Sequence, residues 1–168
     1  VLFNQRMNAF QPRMRHYLTT LNETTGLYNK GEFESHFEKF KCAMNLYAKT
    51  GRGLVVSFYT VDFIEQLKYQ NDQATDQLLQ ALAQELVDIR LPEEDQFYLG
   101  NGTFVVMSPI YQSGDSLEFI QELNKITKIQ FSLFPFKNAE RSQNTIIRFG
   151  EIVIEGSTEL TAEQVISR

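Results

Sequence analysis

The chain has 168 residues, a net charge of -5 and 42% hydrophobic residues, the proportions of one globular domain with a real core. Its charge, with no Lys/Arg run longer than two, excludes a basic nucleic-acid footprint, and no apolar run approaches the length of a bilayer span. A single cysteine, Cys42, excludes an internal disulfide. His16 and His36 lack companions at metal-ligand spacing.

Residues 3–21 read as a helix, because Met7, Phe10, Met14, Tyr17 and Leu21 recur at three- and four-residue steps. Pro12 either kinks this helix or starts it, and the stripe packs on a second helix or folds back on its own domain. Residues 22–30 form a polar turn. Asn29, with Glu32 three residues on, opens the next helix, whose face Phe33, Phe37, Phe40, Met44 and Tyr47 is core packing. Cys42, within that helix, reads as a small core residue. Thr50-Gly51-Arg52-Gly53 ends it.

Leu54 to Val61 is a nearly unbroken apolar and β-branched run, the mark of a buried strand. Asp62 can cap a short helix over 63–69. Residues 75–90 form a long helix with Leu79, Leu82, Leu86 and Ile89 inward, closed by Leu91-Pro92. A hairpin over 96–107 turns at Gly100-Asn101-Gly102, where glycine and asparagine tolerate positive φ. Residues 115–127 read as a helix through Leu117, Ile120, Leu123 and Ile126. Ile129, Phe131 and Leu133 alternate with polar residues as in a strand. Residues 137–144 are loop-like, residues 145–154 are a strand, and Thr161 with Gln164 forms a capping box for a final helix. This order predicts an α+β (α/β) fold in which helices flank a central, mostly antiparallel five-stranded sheet.

Several segments, in order and spacing, carry a resemblance. Asn22-Glu23-Thr24-Thr25-Gly26-Leu27-Tyr28-Asn29-Lys30 is similar to the Asp-x-Leu-Thr-Gly-Leu-Tyr-Asn-Arg opening of GGDEF domains, the diguanylate cyclases. In the stretch from Phe58 to Ala83, the residues Phe63, Asp76, Leu79 and Ala83 fall in register with the family pattern. The hairpin from Gly100 to Pro109 resembles the signature turn, and Ile146 to Gly150 resembles a later strand ending in Gly. The resemblance covers 22–168 as a degenerate GGDEF domain of nucleotide cyclase-like fold, with 1–21 as an N-terminal linker or signalling helix. A chain that begins with Val and stops within the last family helix reads as a piece of a larger multidomain protein.

The departures bear on activity. A diguanylate cyclase holds magnesium on carboxylates, which neutralises the triphosphate and activates the attacking hydroxyl. The positions that the resemblance assigns to those carboxylates are Tyr59, Val61, Gly102 and Thr103, all neutral. Asp62 is one residue off, on the other face of a strand. The resemblance therefore implies no catalytic residue, no metal site, no cofactor and no enzyme activity. The guanine-contacting Asn falls at Leu67. The other guanine contact falls at Asp76, which also reads as a helix N-cap. Arg90-Leu91-Pro92-Glu93 is the nearest match to the family's Arg-x-x-Asp inhibitory site. Arg90 reads either as a phosphate or guanine contact or as a solvated arginine at a helix C-terminus.

The implied function is an inactive regulatory or scaffolding domain in bacterial cyclic di-GMP signalling, working through dimer contacts, a protein partner or a neighbouring EAL-type effector domain. The alternative is a nucleotide receptor that binds cyclic di-GMP or GTP without turnover, through Asp76, Gly100, Asn101, Gly102 and Arg90. The expected location is the cytoplasm, with any membrane anchor elsewhere in the full-length protein.

Overall fold

A computed structural model describes residues 20–46, 53–62, 64–110, 113–138, 147–155 and 160–167. The helix expected over 3–21 lies almost wholly outside the described residues, as do Tyr47 and Phe63.

The turn before the first helix is tied by its own side chains. Asn22 Oδ1 accepts from the Thr25 amide and hydroxyl at 2.9 and 3.0 Å, and Gly26 follows at φ 74°. Helix α1 (Lys30–Leu46) then begins where Asn29 Oδ1 accepts from the Glu32 amide at 3.0 Å. The expected reciprocal bond from Glu32 is replaced: its carboxylate meets His36 Nε2 at 2.9 Å. Phe33, Phe37 and Met44 are buried and Phe40 packs beside them. Fully burying each such side chain contributes roughly 1.5–3 kcal/mol. Cys42 is exposed, which corrects its reading as a core residue. It lies two residues, about 200° of helix, from Phe40, and so faces away from the buried stripe.

Strand β1 (Gly53–Val61) is the hub of the sheet. Helices α2 (Ile64–Gln70) and α3 (Asp72–Ile89) follow, then strands β2 (Asp95–Gly100) and β3 (Thr103–Ile110), helix α4 (Ser113–Asn138), strand β4 (Ile147–Glu155) and helix α5 (Ala162–Ser167). The strand order is β2-β3-β1-β4 with every pairing antiparallel. From β1 onward the chain is a split βαβ arrangement, β-α-β-β-α-β. Side chains alternate across β1. Leu54 and Val56 face α1 and α5, while Tyr59 and Val61 face α3 and the Phe131 side of α4. Thr161 and Gln164 exchange the two expected capping bonds at the start of α5, at 3.0 and 3.2 Å.

The sheet has four strands among the described residues, not five. The segment 129–133 belongs to α4, which runs on from 113 to 138. Among the described side chains of α4 the buried ones are Ile120, Asn124, Thr127 and Phe131, a helical 4-3-4 spacing. Two of the four are polar, so the apolar alternation of Ile129, Phe131 and Leu133 looked like a strand. Ile129 and Leu133 are in fact exposed, and Ile126, expected to face inward, is exposed too.

Candidate functional site

The β2–β3 hairpin closes the end of the sheet where β1 leaves it. Gly100, Asn101 and Gly102 have φ of 94°, 51° and 76°, a left-handed run that side chains with a Cβ resist. Gly102 is also enclosed. Its carbonyl accepts from the Val61 amide at 2.9 Å, and its own N–H donates to Tyr98 Oη at 3.0 Å. A Cβ there would stand 2.8 Å from the Val61 carbonyl oxygen and 3.2 Å from Ile64 Cβ. Burial pushes the Tyr98 phenol above its ordinary pKa, and the bond from the Gly102 N–H pulls the other way.

Tyr59 occupies the other side of this corner and points inward. Its ring packs on Phe131 and Phe149 at centroid distances of 5.4 and 5.5 Å, and its Oη donates to Asn124 Oδ1 at 2.9 Å. Burial pushes its pKa up to about 12. Val61 is buried among apolar neighbours. Thr60, between them, faces the opposite side, where its Oγ1 lies 3.2 Å from that of Thr103. Asp62 turns its carboxylate to Arg148 Nε at 2.7 Å. Magnesium prefers several anionic oxygens in octahedral array. Two threonine hydroxyls bonded to each other, a buried phenol and an aspartate already paired with arginine do not fit it. Among the described residues no group of three or more His, Cys, Asp or Glu side chains could hold a metal.

Two clefts meet at Gly100 and Asn101. One, about 770 Å³, lies between α2, α3 and the hairpin and is lined by Lys68, Thr75, Asp76 and Tyr98. The other, about 480 Å³, opens at the end of the sheet and is lined by Lys30, Thr60, Thr103, Arg148 and Ser167. Asp76 does not cap α3. Asn71 does, its Oδ1 accepting from the Ala74 amide at 3.0 Å, so α3 starts at Asp72 and Asp76 sits in its second turn facing the first cleft. Leu67, at the place the resemblance gives to an asparagine, packs against the core. The structure thus brings Asp76, Gly100 and Asn101 together. Gly102 lies buried beneath them.

Arg90 is elsewhere. It is not the solvated arginine of one sequence reading: its side chain is 0% exposed. Nε donates to Glu94 Oε2 at 3.1 Å and Nη1 to Asn124 Oδ1 at 2.8 Å, while Nη2 donates to Ser108 Oγ at 3.2 Å and to Glu94. Glu94 also accepts from the Ser108 hydroxyl and, at 2.8 Å, from the Leu91 amide. Asn124 passes the network outward, its Nδ2 donating to Glu151 at 2.8 Å. A buried ion pair survives only when its remaining donors and acceptors are met, as here. Sequence reading missed this cluster. Two signals of it stand in the sequence: an Arg and a Glu four residues apart across a proline turn, and polar residues on the helical period of α4.

The sequence matches no family model and no curated protein. Solved structures do resemble it. The coiled coil and GGDEF domain of DgcB from Caulobacter crescentus, in complex with c-di-GMP, is 13% identical over 99% of this chain and 84% of that one, with a TM-score of 0.69. The diguanylate cyclase SiaD from Pseudomonas aeruginosa, in complex with its activator SiaC, is 14% identical over 99% of this chain and 60% of that one, at 0.63. The FimX GGDEF domain from Pseudomonas aeruginosa is 19% identical over 89% and 88%, at 0.58. At such identities the likeness is one of fold: the chain has the GGDEF-domain fold.

Proposed function

We propose that this chain, built on the GGDEF-domain fold, is a catalytically inactive regulatory or scaffolding domain of cyclic di-GMP signalling. The observation that carries the proposal is the enclosure of Gly102. At a place where the resemblance calls for a carboxylate, the backbone leaves no room for a Cβ. Tyr59 supports the same reading, since its side chain is committed to the core and to Asn124. A domain without turnover acts by binding, and two of the similar structures hold partners of different kinds: DgcB holds c-di-GMP and SiaD holds the protein SiaC. The relevant partner here is a neighbouring effector domain, a second copy or another protein, whose contact biases an equilibrium between conformations.

A second reading, a nucleotide receptor, is favoured by one observation. Asp76 faces a cleft with Gly100 and Asn101 and has no capping duty. The test for both is one pair of measurements on the purified chain. Incubation with GTP and magnesium is expected to yield no cyclic di-GMP; product would overturn the inactive reading. Calorimetric titration with GTP and cyclic di-GMP then separates receptor from scaffold, since the scaffold gives no heat with either.

A further inference from the structure

We infer that the cleft at the end of the sheet is a metal-independent binding site for a phosphate-bearing ligand, held by Lys30 and Arg148. Three side chains form a row across three strands on one face of the sheet. Thr60 of β1 stands directly opposite Thr103 of β3 on one side and Arg148 of β4 on the other. Cross-strand neighbours of this kind have Cβ atoms about 4.5–5.5 Å apart, so a guanidinium and two hydroxyls share one floor. Lys30, the first residue of α1, lines the same cleft and brings the positive end of a 17-residue helix with it. Among the described residues that line the cleft, none carries a carboxylate. Lys30 and Arg148 thus bring two cations to the cleft of a chain of net charge -5, and Arg148 is paired with Asp62 at the rim.

The chemistry matches a phosphate. An arginine fork and an ammonium give charge-assisted hydrogen bonds to phosphate oxygens, and threonine hydroxyls donate to the same group. Where a metal-dependent site would place a cation between protein carboxylates and phosphate, here fixed cations of the chain meet the phosphate directly. Asp62 at the rim holds Arg148 through Nε, leaving the two terminal nitrogens without a partner among the described residues. Asp62 both aims the guanidinium and competes with an incoming anion. The adjoining cleft, reached across Gly100 and Asn101, offers Asp76 to whatever part of the ligand carries hydrogen-bond donors.

The site belongs to the ligand-binding form of the function proposed above, and the probe distinguishes their failures. Inorganic pyrophosphate is titrated into the 168-residue chain by calorimetry, once with EDTA and once with magnesium. Binding is expected in EDTA, to weaken as sodium chloride rises, and to lose roughly tenfold in affinity in Lys30→Gln and in Arg148→Gln. Both side chains are exposed, so the variants keep the parent's circular dichroism. Asp62→Asn, which frees the guanidinium, is expected to tighten binding about threefold. No heat with pyrophosphate, binding that requires magnesium, or affinity unmoved by both cation variants would overturn the site while leaving an inactive regulatory domain standing. Formation of cyclic di-GMP from GTP would do the reverse.

Discussion

Putting a side chain back at position 102 is expected to damage the fold, and the structure allows the cost to be worked out. A non-glycine residue in the left-handed region costs about 1–2 kcal/mol. Gly100→Ala meets only that cost, since nothing lies within 4 Å of a Cβ built there at φ 94°. Gly102→Ala meets the same strain and, in addition, contacts of 2.8 Å to the Val61 carbonyl oxygen and 3.2 Å to Ile64 Cβ. Forcing atoms into such an overpacked place adds about 1–3 kcal/mol. The total is about 2–5 kcal/mol, and for a domain of this size each kcal/mol lowers Tm by about 2–4 °C. Gly102→Ala should therefore melt on the order of 10 °C below the parent by circular dichroism, and Gly100→Ala only a few degrees below. Gly102→Asp should fare no better than Gly102→Ala. Equal losses for the two glycines, or a Gly102→Asp protein with the parent's Tm, would refute the claim that the turn has closed over this position.

Other expectations are read in separate assays. Arg90→Ala should cost about 3–5 kcal/mol, seen as a lower urea midpoint, because it strands the Glu94 carboxylate in the core. Arg90→Lys should recover little of it, an ammonium being unable to reach Glu94, Asn124 and Ser108 together. Tyr59 titrates near 12 when folded and near 10 when unfolded. Its contribution is therefore fully present below pH 10 and is lost as pH rises from 10 to 12, roughly 3 kcal/mol in all. The difference spectrum of tyrosinate should show this residue ionising last, with unfolding, and Tyr59→Phe should flatten the alkaline loss of stability. Cys42 should react with a thiol reagent in the native protein, without denaturant, at one thiol per chain.

The fold was legible wherever one periodicity dominated. The phenylalanine stripe of α1, the apolar run of β1 and the Gly100-Asn101-Gly102 turn each carry a local cause that tertiary packing did not override. Helix α4 misled because its buried face is half polar. Asn124 and Thr127 are inside because Arg90, Tyr59 and Glu151 are there to meet them, and hydropathy cannot register a partner 34 residues away. Asp76 misled for a smaller reason, since Asn71 and Asp72 supply a helix start one turn earlier than the apolar pattern indicates. At the candidate site the sequence yielded which residue types are present and missing. It could not reveal that position 102 is enclosed, nor that Thr60, Thr103 and Arg148 stand in one row, because both depend on the register of three strands.

The Asn124 amide has a mechanical consequence. Its oxygen faces two donors, Tyr59 and Arg90, and its nitrogen faces the Glu151 carboxylate, so neither a flip of the amide nor a one-turn slide of α4 leaves the bonds intact. The helix is keyed to three separate points: the central strand, the turn after α3 and the edge strand. Its outer side carries the exposed Phe119, Ile126, Ile129 and Leu133. A load applied to that outer side would pass into the sheet through these three points. Hydrogen exchange would register this as middle turns of α4 that open only with global unfolding, while the six-residue α5 frays freely.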